Sequence, residues 1–372
     1  MTKRVALGFA GPYPALRGSQ MLVRQLEQGL RSRGHQVSVV SHGPETSPLP
    51  RLGAGRVTRG LGLAWRLWQT ARRDRIDVIH AHNYEAALVA LPIGRLLGIP
   101  VVFHGHAAYG DELPTYVSRR WRGLARWIGE RLDRQVPRMA AAVLTVTPGL
   151  ANRLVSKGLA RAGVEWIPPA LPLAEVAAAL HGPEHANQIC YTGNLDGYQN
   201  LELLHAAFAQ VQAEIATARL LVVTDDPVPC GGRLAEVPGL EFRCGGDLET
   251  TRQALAAAAI LVLPRTDATG FPMKLLNYRA AGKAIVVSHG AAHGLRDGVE
   301  ALVVPDGDPD AFAQAIIRVL RDDGLRHRLG AAARRLAEDP IPVGQALDRI
   351  ESTYRRVLVR APARLAAVPQ PE

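Results

Sequence analysis

Cysteine, aromatic residues and long apolar runs are all scarce in this chain, and each shortage narrows its class. Only three cysteines, Cys190, Cys230 and Cys244, stand in 372 residues. They show neither metal-ligand spacing nor an even-numbered framework, which argues against a disulfide scaffold and for a reduced, cytoplasmic protein. Aromatics make up 5% against 47% hydrophobic residues, so the interior must be built from Ala, Leu and Val, as in sheets covered by helices on both faces. No apolar stretch reaches about 18 uncharged residues, so a membrane span is not expected. Met1 to Lys3 lead straight into the strand-like run RVALGFAG, without a signal-peptide pattern.

Acidic residues are scarce in one half only. Residues 1–170 hold 24 Lys+Arg against 10 Asp+Glu, a net of +14; subtracting these from 44 and 34 leaves 20 against 24, a net of −4, for residues 171–372. The excess concentrates in residues 51–75 and 119–138. In the second segment Trp121, Leu124, Trp127, Ile128 and Leu132 recur at helical spacing, and Arg119, Arg120, Arg122, Arg126 and Arg134 flank them. A basic helix with tryptophans on its apolar side suits an anionic bilayer; the plainer reading packs the stripe on its own domain and leaves the arginines solvated. No nucleic-acid motif accompanies the charge, so nucleic acid is not an expected partner.

The length suits two domains. In the first, strand-like runs at 5–9, 37–41, 78–81, 101–104 and 142–147 alternate with helical stretches; a second series begins near Gln188 with runs at 189–192, 219–223, 240–244, 260–263 and 284–288. This is an α/β rhythm. The expected division is 1–170 and 188–338, joined by the Pro-rich stretch IPPALPLAEVAAALHGPEH, with a last helix over 341–360 returning to the first domain. Within ILVLPRTDATGFPMKLLNYRAAGKAIVVS (260–288), a turn through Thr269, Gly270 and Phe271 precedes a helix with Pro272 at its first position and Met273 to Ala281 continuing it, stopped by Gly282. Free N–H groups from Gly270 to Lys274 and the helix dipole suit a phosphate or a sugar hydroxyl. An ordinary βαβ connection reads the same way locally.

Several segments in succession resemble retaining glycosyltransferases of family four. These are RSRGHQVSVVSHG, DVIHAHN and GIPVVFHGH in the first half, then CYTGNL, GLEFRCGGDLETTRQALAAAAILVLP, GFPMKLLNYRAAGKAIVVS and GVEALVVPDGDPDAFAQAIIRVLRDD. The resemblance spans nearly the whole chain. It implies the GT-B architecture, two Rossmann-like domains facing a central cleft, with a nucleotide-sugar held by the C-terminal domain and the acceptor by the N-terminal one. The +14 half then becomes the acceptor half, which implies a lipid-linked or envelope-glycan acceptor at the inner membrane face and transfer with retention of configuration. Resemblance also makes His106, six residues after Pro100, the residue near the reacting sugar, with His104 its competitor; both also read as satisfied polar residues at a strand end. Gly18, Ser19 and Gln20 fall in the family's loop near the donor diphosphate.

Departures cluster in the donor half. Where the family carries Arg and Lys after the first strand of its second domain, this chain has Asn194 and Gln199. The family's two glutamates, eight positions apart, fall on Thr269 and Asn277. Arg265 and Lys274 are the candidates to restore the positive charge, and Asp267 the lost acid; base choice is placed around residues 243–246 and Asp225. Such transfer needs no metal or cofactor. The pairs His80-x-His82 and His104-x-His106 are joined by no Cys or carboxylate cluster, so no metal site is expected. Two alternatives stay open, an inactive binding or partner subunit and a nucleotide-sugar epimerase of the same architecture.

Overall fold

The computed structural model describes residues 2–14, 18–44, 54–159, 163–169, 183–226, 237–244, 248–266, 270–338 and 343–360. They fall into two compact units, one of Met1–Ala170 with Thr269–Phe271 and Ile341–Glu372, the other of Leu171–Ala268 with Pro272–Pro340. The Pro-rich stretch lies largely outside the described residues, at 170–182.

Strands of the first unit are β1 (Arg4–Phe9), β2 (Gln36–Val40), β3 (Val78–His82), β4 (Val101–Gly105), β5 (Ala142–Thr145) and β6 (Val164–Trp166). They form one sheet in the order β2-β1-β3-β4-β5-β6, every pair parallel. Strands covered on both faces have no solvent side to mark with polar residues, which is why VALGF, VIHAH and VVFHG read as unbroken apolar runs interrupted only by histidines. One face is covered by α1 (Gly18–Ser32) and the C-terminal helix, the other by α2 (Ala54–Arg73), α3 (Asn83–Leu97), the short α4 (Tyr109–Glu112), α5 (Arg122–Met139) and α6 (Pro148–Ser156). In α1, Val23, Leu26 and Leu30 are buried at the spacing of one helical face.

The second unit repeats the scheme with a different winding. Its strands are β7 (Gln188–Thr192), β8 (Arg219–Thr224), β9 (Leu240–Cys244), β10 (Ile260–Leu263), β11 (Ala284–Ser288) and β12 (Leu302–Val304), in the order β12-β11-β10-β7-β8-β9, again all parallel. Helices α7 (Leu201–Glu214), α8 (Leu248–Ala257), α9 (Lys274–Ala281), α10 (Pro309–Arg321) and α11 (Asp323–Glu338) cover it. Starts and stops follow side-chain chemistry. Asp308 caps α10 by accepting from Ala311 N at 2.9 Å with Pro309 next to it, and Gly282 ends α9 at φ 65°. The C-terminal helix α12 (Val343–Arg360) packs on α1: Leu347 fills the space at Gly29, and Arg33 meets Asp348 and Glu351 at 2.6 and 3.2 Å.

Candidate active site

In an open parallel sheet the crevice for a ligand lies where the strand order reverses, beyond the carboxyl ends of the two strands concerned. In the second unit these strands are β7 and β10. Beyond β7 the chain turns at Gly193, φ 128°, into Asn194; beyond β10 it runs through Pro264 to Arg265; and the first turn of α9 presents Lys274. Lys274 Nζ donates to Gln199 Oε1 at 3.1 Å and stands 3.9 Å from the centre of the Tyr191 ring. Gln199 Nε2 donates to Asn194 Oδ1 at 2.6 Å, and Asn194 Nδ2 donates to Asp196 Oδ2 at 2.5 Å and to Tyr198 Oη at 3.0 Å. The buried Arg265 guanidinium lies 5.1 Å over the Tyr198 ring.

Asn194, Gln199, Arg265 and Lys274, singled out separately in the sequence, therefore meet in one cluster. Tyr191 and Tyr198, the aromatic platforms under the two cations, were not singled out, although Tyr198 stands inside the GNLDGYQN segment. Burial pushes the Lys274 ammonium well below the usual lysine range, and the neighbouring Arg265 charge pushes the same way. Asn277 lies one turn beyond Lys274 on the same helical face and is half-buried. Gly270 is buried and Phe271 half-buried; Asp267, Thr269 and residues 245–247 lie outside the described residues. The helix begins at Lys274, two residues later than the sequence suggested. Met273 is its N-cap, φ −53°, and Pro272 precedes the cap, accepting from Leu275 N at 2.8 Å.

In the first unit the reversal lies between β1 and β3. Beyond β1, Gly18, Ser19 and Gln20 open α1, with Gly18 exposed and Gln20 buried; Ser19 Oγ lies 3.2 Å from Gln20 Oε1. At the carboxyl ends of β3 and β4, with His106 just past β4, the histidines converge. Register sets His82 opposite His104. His80 Nδ1 is 2.6 Å from Tyr354 Oη of α12, His80 Nε2 is 3.1 Å from His104 Nδ1, and His82 Nδ1 is 3.1 Å from His106 Nε2. Burial is the main cause holding His106 down to about 4 and His80 to about 3. His106 is thus a neutral imidazole at physiological pH, able to accept or donate one hydrogen bond but not to supply a charge.

The basic segment turns its apolar residues outward. Arg119–Trp121 form a 3₁₀ turn leading into α5, and Arg119, Arg120, Arg122 and Arg126 are all exposed. So are Trp121 at 50%, Leu124 at 50% and Trp127 at 61%. Burial falls instead on Ala125, Gly129, Asp133, Val136 and Pro137, of which Gly129 and Asp133 let α5 lie close on α4. Helix α2 also exposes Trp65, at 62%, and its arginines Arg66, Arg72 and Arg73. A cavity of about 550 Å³ between β2, α1 and α2 is lined by Arg31, Arg66, Arg73, Glu27, Gln69 and Thr70, among others, with Arg31 paired to Glu27 at 2.8 Å. No helix among the described residues is long and apolar enough to cross a membrane.

Comparisons with known proteins agree with this geometry. Residues 16–175 match Glycosyltransferase Family 4, and residues 186–322 match Glycosyl transferases group 1. A phosphatidyl-myo-inositol mannosyltransferase of Mycolicibacterium smegmatis is 27% identical over 331 residues, 83% of this chain and 82% of that protein. Among solved structures, sucrose-phosphate synthase from Thermosynechococcus elongatus superposes with a TM-score of 0.78 at 18% identity, covering 96% of this chain and 100% of the other. Anabaena HepE in complex with UDP-glucose superposes at 0.72 with 14% identity, covering 95% and 99%. With two all-parallel α/β units and both halves matched by these families, the chain belongs to the family-four glycosyltransferases of GT-B architecture and is an enzyme of the hexosyltransferase class.

Proposed function

We propose that this glycosyltransferase moves a hexose from a nucleoside-diphosphate sugar to an anionic, lipid-linked acceptor at a membrane surface, with retention of anomeric configuration. The observation that carries the donor half of this reading is the meeting of Lys274 and Arg265 beyond β7 and β10. Among the described residues the Lys274 ammonium touches an amide oxygen and a ring face rather than a carboxylate. A desolvated cation so placed gains most from a ligand bearing concentrated negative charge. As the sugar leaves, charge builds on the diphosphate, and Lys274 and Arg265 stabilise that charge without a metal. Asn194 and Gln199 orient the Lys274 amine in place of the missing cations. Retention follows when the acceptor attacks from the face the diphosphate leaves, the leaving oxygen taking the acceptor proton; no carboxylate base is required. His106, neutral, is suited to hydrogen-bond the sugar beside the reacting carbon.

The acceptor half of the reading rests on the exposed tryptophans among arginines on α5 and α2, a pattern that buries indoles at the headgroup boundary and pairs guanidinium groups with lipid phosphates. The arginine-lined cavity beside α2 suits a phosphorylated polyol headgroup. A relative named for phosphatidyl-myo-inositol supports the same acceptor class. The test is release of nucleoside diphosphate from a panel of nucleotide-sugars, with and without vesicles containing phosphatidylinositol. Vesicle-dependent release of UDP or GDP, with the sugar recovered on lipid, supports the reading. Tight binding without turnover assigns the fold to an inactive partner subunit, and an altered free nucleotide-sugar assigns an epimerase.

A further inference from the structure

His80, His82, His104 and His106 form one cluster of stacked and edge-on rings, the first three of them buried. Each neutral imidazole carries one N–H and one lone pair, and in this cluster three buried ring nitrogens, His82 Nε2, His104 Nε2 and His106 Nδ1, have no hydrogen-bond partner among the described residues. One ring nitrogen from each of His80, His82 and His104 lies within 4.8 Å of those of the other two, and all three residues are buried. We propose that His80, His82 and His104 form a binding site for a borderline transition-metal cation of the zinc class, at the carboxyl ends of β3 and β4. This inference does not depend on which sugar or acceptor the enzyme uses.

The chemistry of the donor set selects the ion. Three imidazoles and no carboxylate suit zinc, cobalt(II), nickel or copper, and not magnesium or calcium, which demand oxygen ligands. A tetrahedral zinc site with bonds of about 2.0–2.1 Å places its ligand nitrogens roughly 3.4 Å apart, so the rings move together by about 1 Å at most. His80 is already oriented for the task. Its Nδ1 is 2.6 Å from Tyr354 Oη, and in the tautomer that donates there Nε2 keeps its lone pair for a cation. We assign Nε2 of each ring as the ligand atom: the cation then displaces the hydrogen bond between His80 Nε2 and His104 Nδ1, whose proton must find a new acceptor, and satisfies His82 Nε2 and His104 Nε2, which have no partner among the described residues. With His82 ligating through Nε2, its Nδ1 carries the proton and donates to His106 Nε2, so the cation also fixes the tautomer of His106. The two H-x-H pairs show no metal-ligand pattern when read separately along the chain; the strand register joins them.

The experiment uses the full-length, tag-free chain, stripped with chelator and titrated with Co²⁺ while visible absorption is followed, then with Zn²⁺ in competition. We expect one Co²⁺ per chain with the intense d–d bands of a four-coordinate site, displaced by one Zn²⁺. His104→Leu should weaken binding at least tenfold, and Tyr354→Phe roughly tenfold. X-ray absorption of the zinc-loaded wild-type chain should show three imidazole nitrogens, and this measurement decides the matter if the leucine variant fails to fold. Failure to saturate at millimolar Co²⁺, binding that His104→Leu leaves unchanged, or a zinc shell with fewer than three imidazoles overturns the proposal. Because every readout is metal binding, its failure is distinct from failure of the transfer reaction.

Discussion

At the scale of single residues, the donor site turns on one glycine and one lysine. Gly193 has φ 128°, and a Cβ built there would stand 2.7 Å from Lys274 Nζ. Only glycine both tolerates that backbone and leaves room for the amine. Gly193→Ala is expected to cost on the order of 1–3 kcal/mol of stability and to weaken nucleoside-diphosphate binding as Lys274 is displaced; urea unfolding and calorimetric titration with UDP and GDP read the two effects separately. Lys274 itself should act as a proton acceptor on binding. Its folded pKa is held well below the usual range by burial, and a diphosphate alongside raises it, so complex formation takes up a proton near and above that depressed pKa. Titrations in buffers of different ionisation enthalpy should therefore give different apparent enthalpies, and Lys274→Met should abolish the difference while lowering affinity tenfold or more, the equivalent of about 1.5–3 kcal/mol for a charged hydrogen bond. Identical enthalpies in all buffers would remove Lys274 from the phosphate site.

At the scale of elements, α5 shows how packing can turn an apolar stripe toward solvent. Gly129 lies so close to α4 that a Cβ there would stand 2.4 Å from Tyr109 O, and buried Asp133 accepts from the N–H groups of Tyr109 and Gly110 at 2.8 and 3.2 Å. This fixed contact orients the helix and leaves Trp121, Leu124 and Trp127 uncovered. Replacing both tryptophans by alanine should leave folding intact, because surface substitutions away from buried networks seldom exceed about 0.5 kcal/mol. It should cut flotation with phosphatidylinositol- or phosphatidylglycerol-rich liposomes by an order of magnitude or more, given about 150–250 Å² per tryptophan at about 25 cal/mol/Å². Unchanged flotation would show that the membrane is met elsewhere or not at all. The same elements show what local pattern reveals. Apolar runs such as VIHAH and AIVVS announce buried parallel strands, because such strands need no polar face. The edge strands β6 and β12, VEW and LVV, are too short for any periodicity to register. Helix α5 was legible as amphipathic, but which of its sides faces solvent depends on Gly129 and Asp133 meeting another helix, a tertiary contact with no local signature. The donor cluster was half legible. Asn194, Gln199, Arg265 and Lys274 could be picked as substitutes for missing charges, whereas their connection through Tyr191 and Tyr198 needs the strand order β10-β7.

At the scale of the whole molecule, the two units differ in what they bury, and this gives a way to watch one of them alone. All five tryptophans, Trp65, Trp68, Trp121, Trp127 and Trp166, belong to the first unit, so indole fluorescence reports its unfolding and is silent about the second. That unit also encloses the four histidines, faced by each other and by Tyr354 of α12. Their folded pKa values lie below the ordinary 6.5, about 3 for His80 and about 4 for His106, with burial the leading cause. For a histidine with a depressed folded pKa, the unfolded chain binds the proton more readily. The stability contributed by the neutral cluster is thus fully present above about pH 6.5 and is lost as the pH falls from there toward 4. Each such histidine contributes up to about 1.4 kcal/mol per pH unit across that window, although coupled rings titrate as a group and not as four independent sites. Urea midpoints followed by tryptophan fluorescence should fall steeply between pH 7 and pH 5, by the equivalent of several kcal/mol. His104→Leu, which removes one buried imidazole and keeps the volume apolar, should flatten the profile while leaving the midpoint at pH 7 little lowered. A wild-type midpoint constant from pH 7 to pH 5 would mean that the rings are hydrated and already share protons in the folded state, and the description of a dry, neutral cluster would have to be given up.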